Sequence, residues 1–121
     1  MGALVDAVGK VIGERWGGIA GRDAAEHFGL GVGGNPQQLL KNWLGGRGVP
    51  SDRVPLLLRG LPDAVRRDVA RAELRERLGG VSEAYLTVLR IWTADDSVER
   101  LIAAALRCDR GVAREWLAIA A

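Results

Sequence analysis

The chain has 121 residues, of which 48% are apolar, which is enough for one domain with one buried core. Its formal net charge of +2 at pH 7 is too small to indicate a nucleic-acid partner by itself. The single cysteine, Cys108, excludes an internal disulfide and is typical of a protein in a reducing cytoplasm. Charged residues at positions 6, 10, 14 and 15 interrupt the first apolar stretch, so we expect neither a signal peptide nor a membrane-spanning segment there.

The N-terminal half contains three predicted helices. Apolar residues recur at helical spacing over 3–16, and Gly17-Gly18 should end this first helix. A second, short helix is predicted over 21–29, with Gly29 as its C-terminal cap. The glycine-rich stretch 30–35 should be a loop. Asn35 as N-cap and Pro36 at the first helical position begin a third helix, with Leu39, Leu40 and Trp43 on its inner face and Gly45-Gly46 at its end.

Further helices are predicted in the remaining chain. A short helix follows Ser51 or Asp52, either of which can cap it, and a long charged helix runs over 62–78. Acid-before-base pairs in the long helix, Asp63–Arg67 and Glu73–Arg77, favour an exposed helix. The inward residues of the long helix should be Val65, Val69, Ala72 and Leu78. Ser82 should cap the next helix, whose buried stripe should comprise Tyr85, Leu86, Leu89 and Trp92. The last two helices are predicted over 98–106 and 110–119.

No segment alternates at a period of two residues, so no sheet is expected. The predicted fold class is therefore all-α, a compact bundle of six to seven short helices that forms a single domain over 1–121 and contains one or two helix-turn-helix units.

The last two predicted helices have the spacing of a helix-turn-helix, which needs two short helices joined by a tight turn. Ala103 is small where the helices would cross, Leu106 is apolar, and Asp109 caps the second helix. That helix should turn Val112, Ala113 and Trp116 inward and Arg110, Gly111, Arg114 and Glu115 outward. Residues 103–116 thereby resemble the helix-turn-helix of phage repressors. Arg107 stands where that family usually has glycine, so it must adopt a left-handed conformation or the turn must differ.

Residues 24–55 resemble the same motif in a different way. The stretch 24–30 is similar to its first helix and turn, and 36–44 is similar to a recognition helix. The tail 43–55, with its Trp, Gly, Arg and Pro residues, looks like the segment after the recognition helix in Cro-like and phage-repressor-like regulators. This match departs from the family in the turn, where 31–35 add several residues.

The resemblance implies a transcriptional regulator that binds double-stranded DNA as a dimer, with a recognition helix in the major groove. Its two units would span 20–60 and 97–119. In the first unit the side chains that would reach base edges are Gln37, Gln38, Lys41 and Asn42, and those near the phosphates are Arg47 and Arg53. In the second unit Arg110 and Arg114 would take these roles, and Glu115 would accept from cytosine or pair with an arginine of its own helix.

Two other interpretations stay open. A helical protein-interaction module, such as an adaptor, an inhibitor or a defence-associated domain, is favoured by the acids that alternate with arginines over 63–77. The third interpretation is a protein that kept the helix-turn-helix fold and lost DNA binding. We do not expect an enzyme, a cofactor or a zinc site, since no nucleophile–base pair or phosphate loop stands out and His27 is the single histidine. Arginines beside Cys108 would lower its pKa, although a small structural apolar residue is the preferred interpretation.

Overall fold

The fold is α-helical throughout the part of the chain that the computed structural model describes, which comprises residues 2–31, 35–78 and 96–121, with backbone only for 96–98. The described residues contain these helices: α1 Ala3–Trp16, α2 Arg22–His27, α3 Pro36–Asn42, α4 Val54–Arg59, α5 Asp63–Arg77, α6 Asp96–Leu106 and α7 Arg110–Ala120. A π-helical turn, Trp43–Arg47, continues α3, and a 3-10 turn, Ser51–Arg53, precedes α4. The all-α prediction is confirmed. The helix predicted after Ser82 lies outside the described residues.

Local sequence signals place the ends of the N-terminal helices. Helix α1 ends at Gly17, whose φ of 62° is left-handed, and the chain after α2 turns at Gly29 with φ of 79°. The side chain of Asn35 accepts a hydrogen bond from the backbone N–H of Gln38 at 3.2 Å, and Pro36 is the first helical residue of α3. The predicted capping residues of these helices are therefore confirmed. Among the described residues, no helix is long and apolar enough to cross a membrane.

Helix α7 is the centre of the bundle. It packs against α4, α5 and α6, while α5 also packs against α1 and α4. The inner face of α7 is fully buried at Ala113, Trp116, Leu117 and Ala120. The indole N–H of Trp116 donates to the carbonyl oxygen of Ala70 at 2.9 Å, so the largest core side chain also satisfies its polar atom. Helices α2 and α3 pack against each other, and Trp43 is buried at the end of α3 as predicted.

Helix α5 is rotated relative to its predicted orientation. Its inward stripe contains Ala70, Glu73 and Leu74, whereas Val65, predicted to face inward, is 40% exposed. The predicted Asp63–Arg67 pair is replaced by a pair between Asp63 and Arg66 at 2.9 Å. The Glu73–Arg77 pair forms at 3.0 Å, but its side chains are only 5% and 22% exposed. A carboxylate in the inward stripe is tolerated because it has several hydrogen-bond donors around it.

Those donors come from distant parts of the chain. The carboxylate of Glu73 accepts from the backbone N–H of Leu4 at 3.1 Å, and that of Glu76 accepts from Ala3 at 3.3 Å. The first N–H groups of a helix have no partner within the helix, so α5 supplies the cap that α1 lacks. Arg77 also donates to the hydroxyl of Ser51 at 3.1 Å. One polar network therefore joins α5 to α1 and to the 3-10 turn.

Two other local predictions are wrong. Leu39, predicted on the inner face of α3, is 39% exposed, because α2 covers the side of α3 that carries Leu40. Neither Ser51 nor Asp52 caps a helix by a side-chain hydrogen bond. Instead Ser51 serves as an acceptor for Arg77, a contact with a residue 26 positions later in the chain that local sequence does not reveal.

Candidate nucleic-acid interface

The connection between α6 and α7 is a tight turn. It comprises only residues 107–109, and Arg107 adopts the left-handed conformation with φ of 55°. The N–H groups of Arg107 and Cys108 donate back to the carbonyl oxygens of Ala104 and Ala103, at 3.2 and 3.1 Å. These bonds satisfy carbonyl groups that would otherwise be unpaired at the end of α6. The sequence left two possibilities for this turn, and the left-handed arginine is the one adopted.

Asp109 then begins α7. Its side chain accepts a hydrogen bond from the backbone N–H of Gly111 at 3.0 Å, which confirms the predicted N-cap. The inner and outer faces of α7 also agree with the prediction. Ala113 and Trp116 are fully buried, and the outward stripe includes Gly111, Arg114 and Glu115. Helix α7 therefore presents a polar face next to the tight turn that precedes it.

The charges on that face are already paired. Glu99 of α6 is 3% exposed and accepts from Nε of Arg110 at 3.0 Å. Arg114 binds both oxygens of the same carboxylate, with Nε at 3.2 Å and Nη2 at 2.9 Å. Glu115 pairs with Arg59 of α4 at 2.8 Å, and so not with an arginine of its own helix as the sequence analysis offered. Since Arg114 uses its two-pronged geometry on Glu99, the same N–H groups are not available to a guanine edge.

The connection between α2 and α3 is different. It begins with the same pair of backbone hydrogen bonds, from Gly29 to Glu26 and from Leu30 to Ala25, at 3.0 and 2.9 Å. Helix α3 starts only at Pro36, so eight residues, 28–35, separate α2 from α3, against three residues between α6 and α7. Residues 32–34 of this connection lie outside the described part of the chain. The additional length that the sequence indicates is thus present, although α2 and α3 still pack against each other.

Helix α3 carries exposed polar residues. Gln38 and Lys41 are exposed, while Gln37 and Asn42 are half-buried. The side-chain amide of Gln38 donates to Oδ1 of Asn42 at 3.0 Å, so these two amides lie on the same face. Three of the four residues predicted to reach base edges therefore lie on the accessible surface of α3 or at its margin, namely Gln38, Lys41 and Asn42.

The cations of this region form no ion pair among the residues that the structure describes. Lys41, Arg47 and Arg53 are exposed, and none of them is paired with a described carboxylate. The sequence over 27–51 contains no acidic residue, and Asp52 directly precedes Arg53. We call Gln37, Gln38, Lys41, Asn42, Arg47 and Arg53 the α3 surface. Lys41 and Arg47 thus have no acidic neighbour in the sequence, in contrast to the paired cations on α7.

Cys108 is a structural residue in its environment. Its side chain is partly buried in the α6–α7 turn, and this burial, followed by the charges of Asp109 and Asp52, raises the pKa of the thiol above its ordinary value of 9.0. The neighbouring arginines therefore do not lower the pKa, because the burial and the carboxylates outweigh them. Within the residues described, no group of three or more His, Cys, Asp or Glu side chains is arranged to hold a metal ion.

Comparisons with protein-family models, with curated proteins and with solved structures find no match to this chain, so its own residues and geometry carry the functional argument.

Proposed function

We propose that the protein is a DNA-binding transcriptional regulator whose recognition helix is α3. The observation that carries this proposal is the α3 surface, where exposed glutamine and lysine side chains project from a short helix and no acidic residue occurs over 27–51. Glutamine and asparagine can pair with adenine through two hydrogen bonds, and lysine can donate to guanine. Arg47 ends the turn that continues α3, and Arg53 ends the 3-10 turn before α4; both would neutralise phosphates.

Helix α7 is the weaker reading element although its turn is the better match. Arg110 and Arg114 are bound to Glu99, which is buried, and Glu115 is bound to Arg59. Breaking these pairs to contact DNA would leave a buried carboxylate without its cations, which typically costs about 3–5 kcal/mol. In our proposal α7 therefore stabilises the bundle, while α3 presents its exposed polar side chains to DNA.

A dimer follows from the size of this interface. Lys41, Arg47 and Arg53 supply three phosphate-neutralising charges per chain, which gives weak binding at physiological salt. Two copies on a two-fold symmetric site would double the number of contacts and read two half-sites about one helical turn apart.

A helical protein-interaction module is the second candidate. It is favoured by the pairing of the α7 cations and by two exposed aliphatic side chains, Leu101 and Ile19, which are 70% and 69% exposed. Exposed large apolar residues contribute to protein interfaces when they form a patch. Absence of DNA binding in the experiment below would favour this candidate.

The test is a salt series of binding to random-sequence duplex DNA, followed by fluorescence anisotropy. We expect affinity to fall steeply with salt, and the double variant Lys41→Ala/Arg47→Ala to reduce the slope of log K against log salt by about 1.8. The matched control is Arg67→Ala/Arg100→Ala, which removes the same charge from exposed positions on α5 and α6, helices that do not pack on α3.

Each outcome of this test is informative. An equal loss in both double variants would show that net charge alone matters, and that α3 is not the reading element. An unchanged affinity in Lys41→Ala/Arg47→Ala would exclude the α3 surface, and no binding by the wild-type protein at low salt would exclude the DNA-binding proposal altogether. Circular dichroism spectra of all variants would verify that the helices remain folded.

A further inference from the structure

We propose that a cleft bounded by α1, α2 and the corner between α4 and α5 binds a small oxyanion through Arg15. The cleft has a volume of about 280 Å³. Its lining combines the apolar residues Val11, Leu61 and Pro62 with Gly60 and the polar side chains of Glu14, Arg15, His27, Arg59 and Arg66. This inference goes beyond the proposed function and does not rest on it, because none of these residues belongs to the α3 surface.

The tautomer of His27 follows from its contact with Gly60. Its Nε2 lies 2.8 Å from the carbonyl oxygen of Gly60, and a carbonyl oxygen only accepts, so Nε2 carries the hydrogen and donates. A guanidinium nitrogen of Arg15, Nη1, lies 3.1 Å from Nδ1 and 3.4 Å from Nε2 of the same ring. Because the two distances are nearly equal, the guanidinium lies against the face of the imidazole. His27 thus links the α4–α5 corner to Arg15.

Arg15 forms no ion pair within the part of the chain that the structure describes. Its nearest polar neighbour is the imidazole of His27. The guanidinium also lies over the ring of Trp16, 4.9 Å from the ring centroid. The imidazole and the indole fix the position of the group without neutralising it. A positioned guanidinium with unused N–H donors is the side chain best suited to bind the planar edge of an oxyanion.

The other charged residues of the cleft limit what it can bind. Arg66 is a structural residue, since it donates to the carbonyl oxygens of Leu58 and Leu61 and pairs with Asp63, at 3.0, 2.8 and 2.9 Å. Arg59 is held by Glu115 at 2.8 Å. Glu14 adds a negative charge that opposes an anion. With one uncompensated cation and one opposing carboxylate, the cleft is suited to a small oxyanion, either a free phosphate, sulfate or carboxylate, or one phosphate group of DNA.

The experiment uses the full chain with ¹⁵N-labelled histidine. Because His27 is the single histidine, its two ring nitrogens give an unambiguous NMR reporter of the tautomer and of the contact with Arg15. We expect the spectrum without added anion to show hydrogen on Nε2, and titration with sulfate to shift the Nδ1 signal in a saturable manner.

Three variants make the result specific. Arg15→Ala should abolish the saturable shift while the Nε2 hydrogen remains, because the bond to Gly60 does not involve Arg15. Glu14→Gln should bind sulfate more tightly, and Arg100→Ala, an exposed arginine of α6 outside the cleft, should behave like the wild type. The proposal is wrong if the wild-type shift is absent or linear in sulfate, or if Arg15→Ala and Arg100→Ala respond equally.

The source of the anion is decided by a second measurement on the same variants. If the cleft takes a DNA phosphate, Arg15→Ala lowers both the DNA affinity and its salt slope. If the cleft takes a free anion, Arg15→Ala loses only the sulfate response and leaves DNA binding unchanged. Because Lys41→Ala/Arg47→Ala should retain the sulfate response, failure of the DNA-binding proposal and failure of this one are separate observations.

Discussion

The backbone of Gly60 lies so close to the ring of Phe28 that a Cβ atom on residue 60 would fall 2.3 Å from Cδ1 of the ring and 2.7 Å from Cε1. The backbone conformation of Gly60, with φ of −82°, is one that any residue can adopt. Glycine is therefore required here by space, and not by a dihedral angle. The contact holds the end of α4 against the buried Phe28 that follows α2.

Replacement of Gly60 by alanine should destabilise the protein by about 1–3 kcal/mol, because the methyl group overpacks a site with no free volume. Urea unfolding measures the change. Gly45→Ala is the control, since an added Cβ at residue 45 meets nothing within 4 Å. The loss in the free energy of unfolding caused by Gly60→Ala should be smaller in a Phe28→Leu background than in the wild type. Equal losses in both backgrounds would refute the contact.

Removal of the buried Glu73 carboxylate should strongly destabilise the fold. Glu73→Ala leaves the N–H of Leu4 without its acceptor and Arg77 without its anion, and we expect a loss of about 2–4 kcal/mol in the free energy of unfolding. Glu76→Ala, which removes an exposed and longer contact with Ala3, should cost less than about 1 kcal/mol. Similar losses in the two variants would mean that the α1 cap does not depend on Glu73.

The left-handed Arg107 offers a stabilising change. A non-glycine residue in this conformation costs about 1 kcal/mol relative to glycine, so Arg107→Gly should raise the free energy of unfolding by roughly that amount. Arg100→Gly is the matched control, because it removes the same side chain from within α6, where glycine costs about 1 kcal/mol. Thermal unfolding should therefore shift upward for the first variant and downward for the second. A downward shift in both would indicate that the side chain of Arg107 makes a stabilising contact.

The thiol of Cys108 should react slowly at neutral pH. Because burial first, and then Asp109 and Asp52, raise its pKa above 9.0, the rate of alkylation by iodoacetamide should reach half its maximum above that pH. Asp52→Asn should move the midpoint downward, whereas Asp23→Asn on α2 should not. A midpoint below 9.0 in the wild type would contradict the burial of the thiol.

The same shift makes a prediction about stability. The folded state holds the thiol proton to higher pH than the unfolded state does, so this group stabilises the fold below its unfolded pKa, and the contribution is lost as the pH rises through the folded pKa. Above pH 9.0 the free energy of unfolding of the wild type should therefore fall relative to that of Cys108→Ala.

Local sequence was a reliable guide to the ends of helices. Asn35 and Asp109 cap α3 and α7, and Gly17 and Gly29 take left-handed conformations after α1 and α2, because each of these choices depends on atoms within a few residues. Arg107 was a harder case. The resemblance to repressor turns identified it as the position that needs a left-handed residue, and the structure adopts that conformation despite its cost.

The candidate interface was only partly predictable. The sequence identified both outward faces, α3 and α7, since helical periodicity separates inner from outer residues. It did not reveal that Glu99 would take Arg110 and Arg114, nor that Arg59 would take Glu115, because each partner comes from another helix. These ion pairs decide which of the two faces has charge available to a nucleic acid.

The sequence by itself determined the helical class, the positions of most helix ends and the burial of Trp43 and Trp116, since propensity, capping and periodicity act over a few residues. Only the tertiary structure decided that Glu73 caps α1 across 69 residues, that Gly60 must lack a side chain, and that Arg15 contacts His27. The physical reason is that buried polar groups need partners, and a compact fold supplies those partners from whichever segment lies adjacent in space.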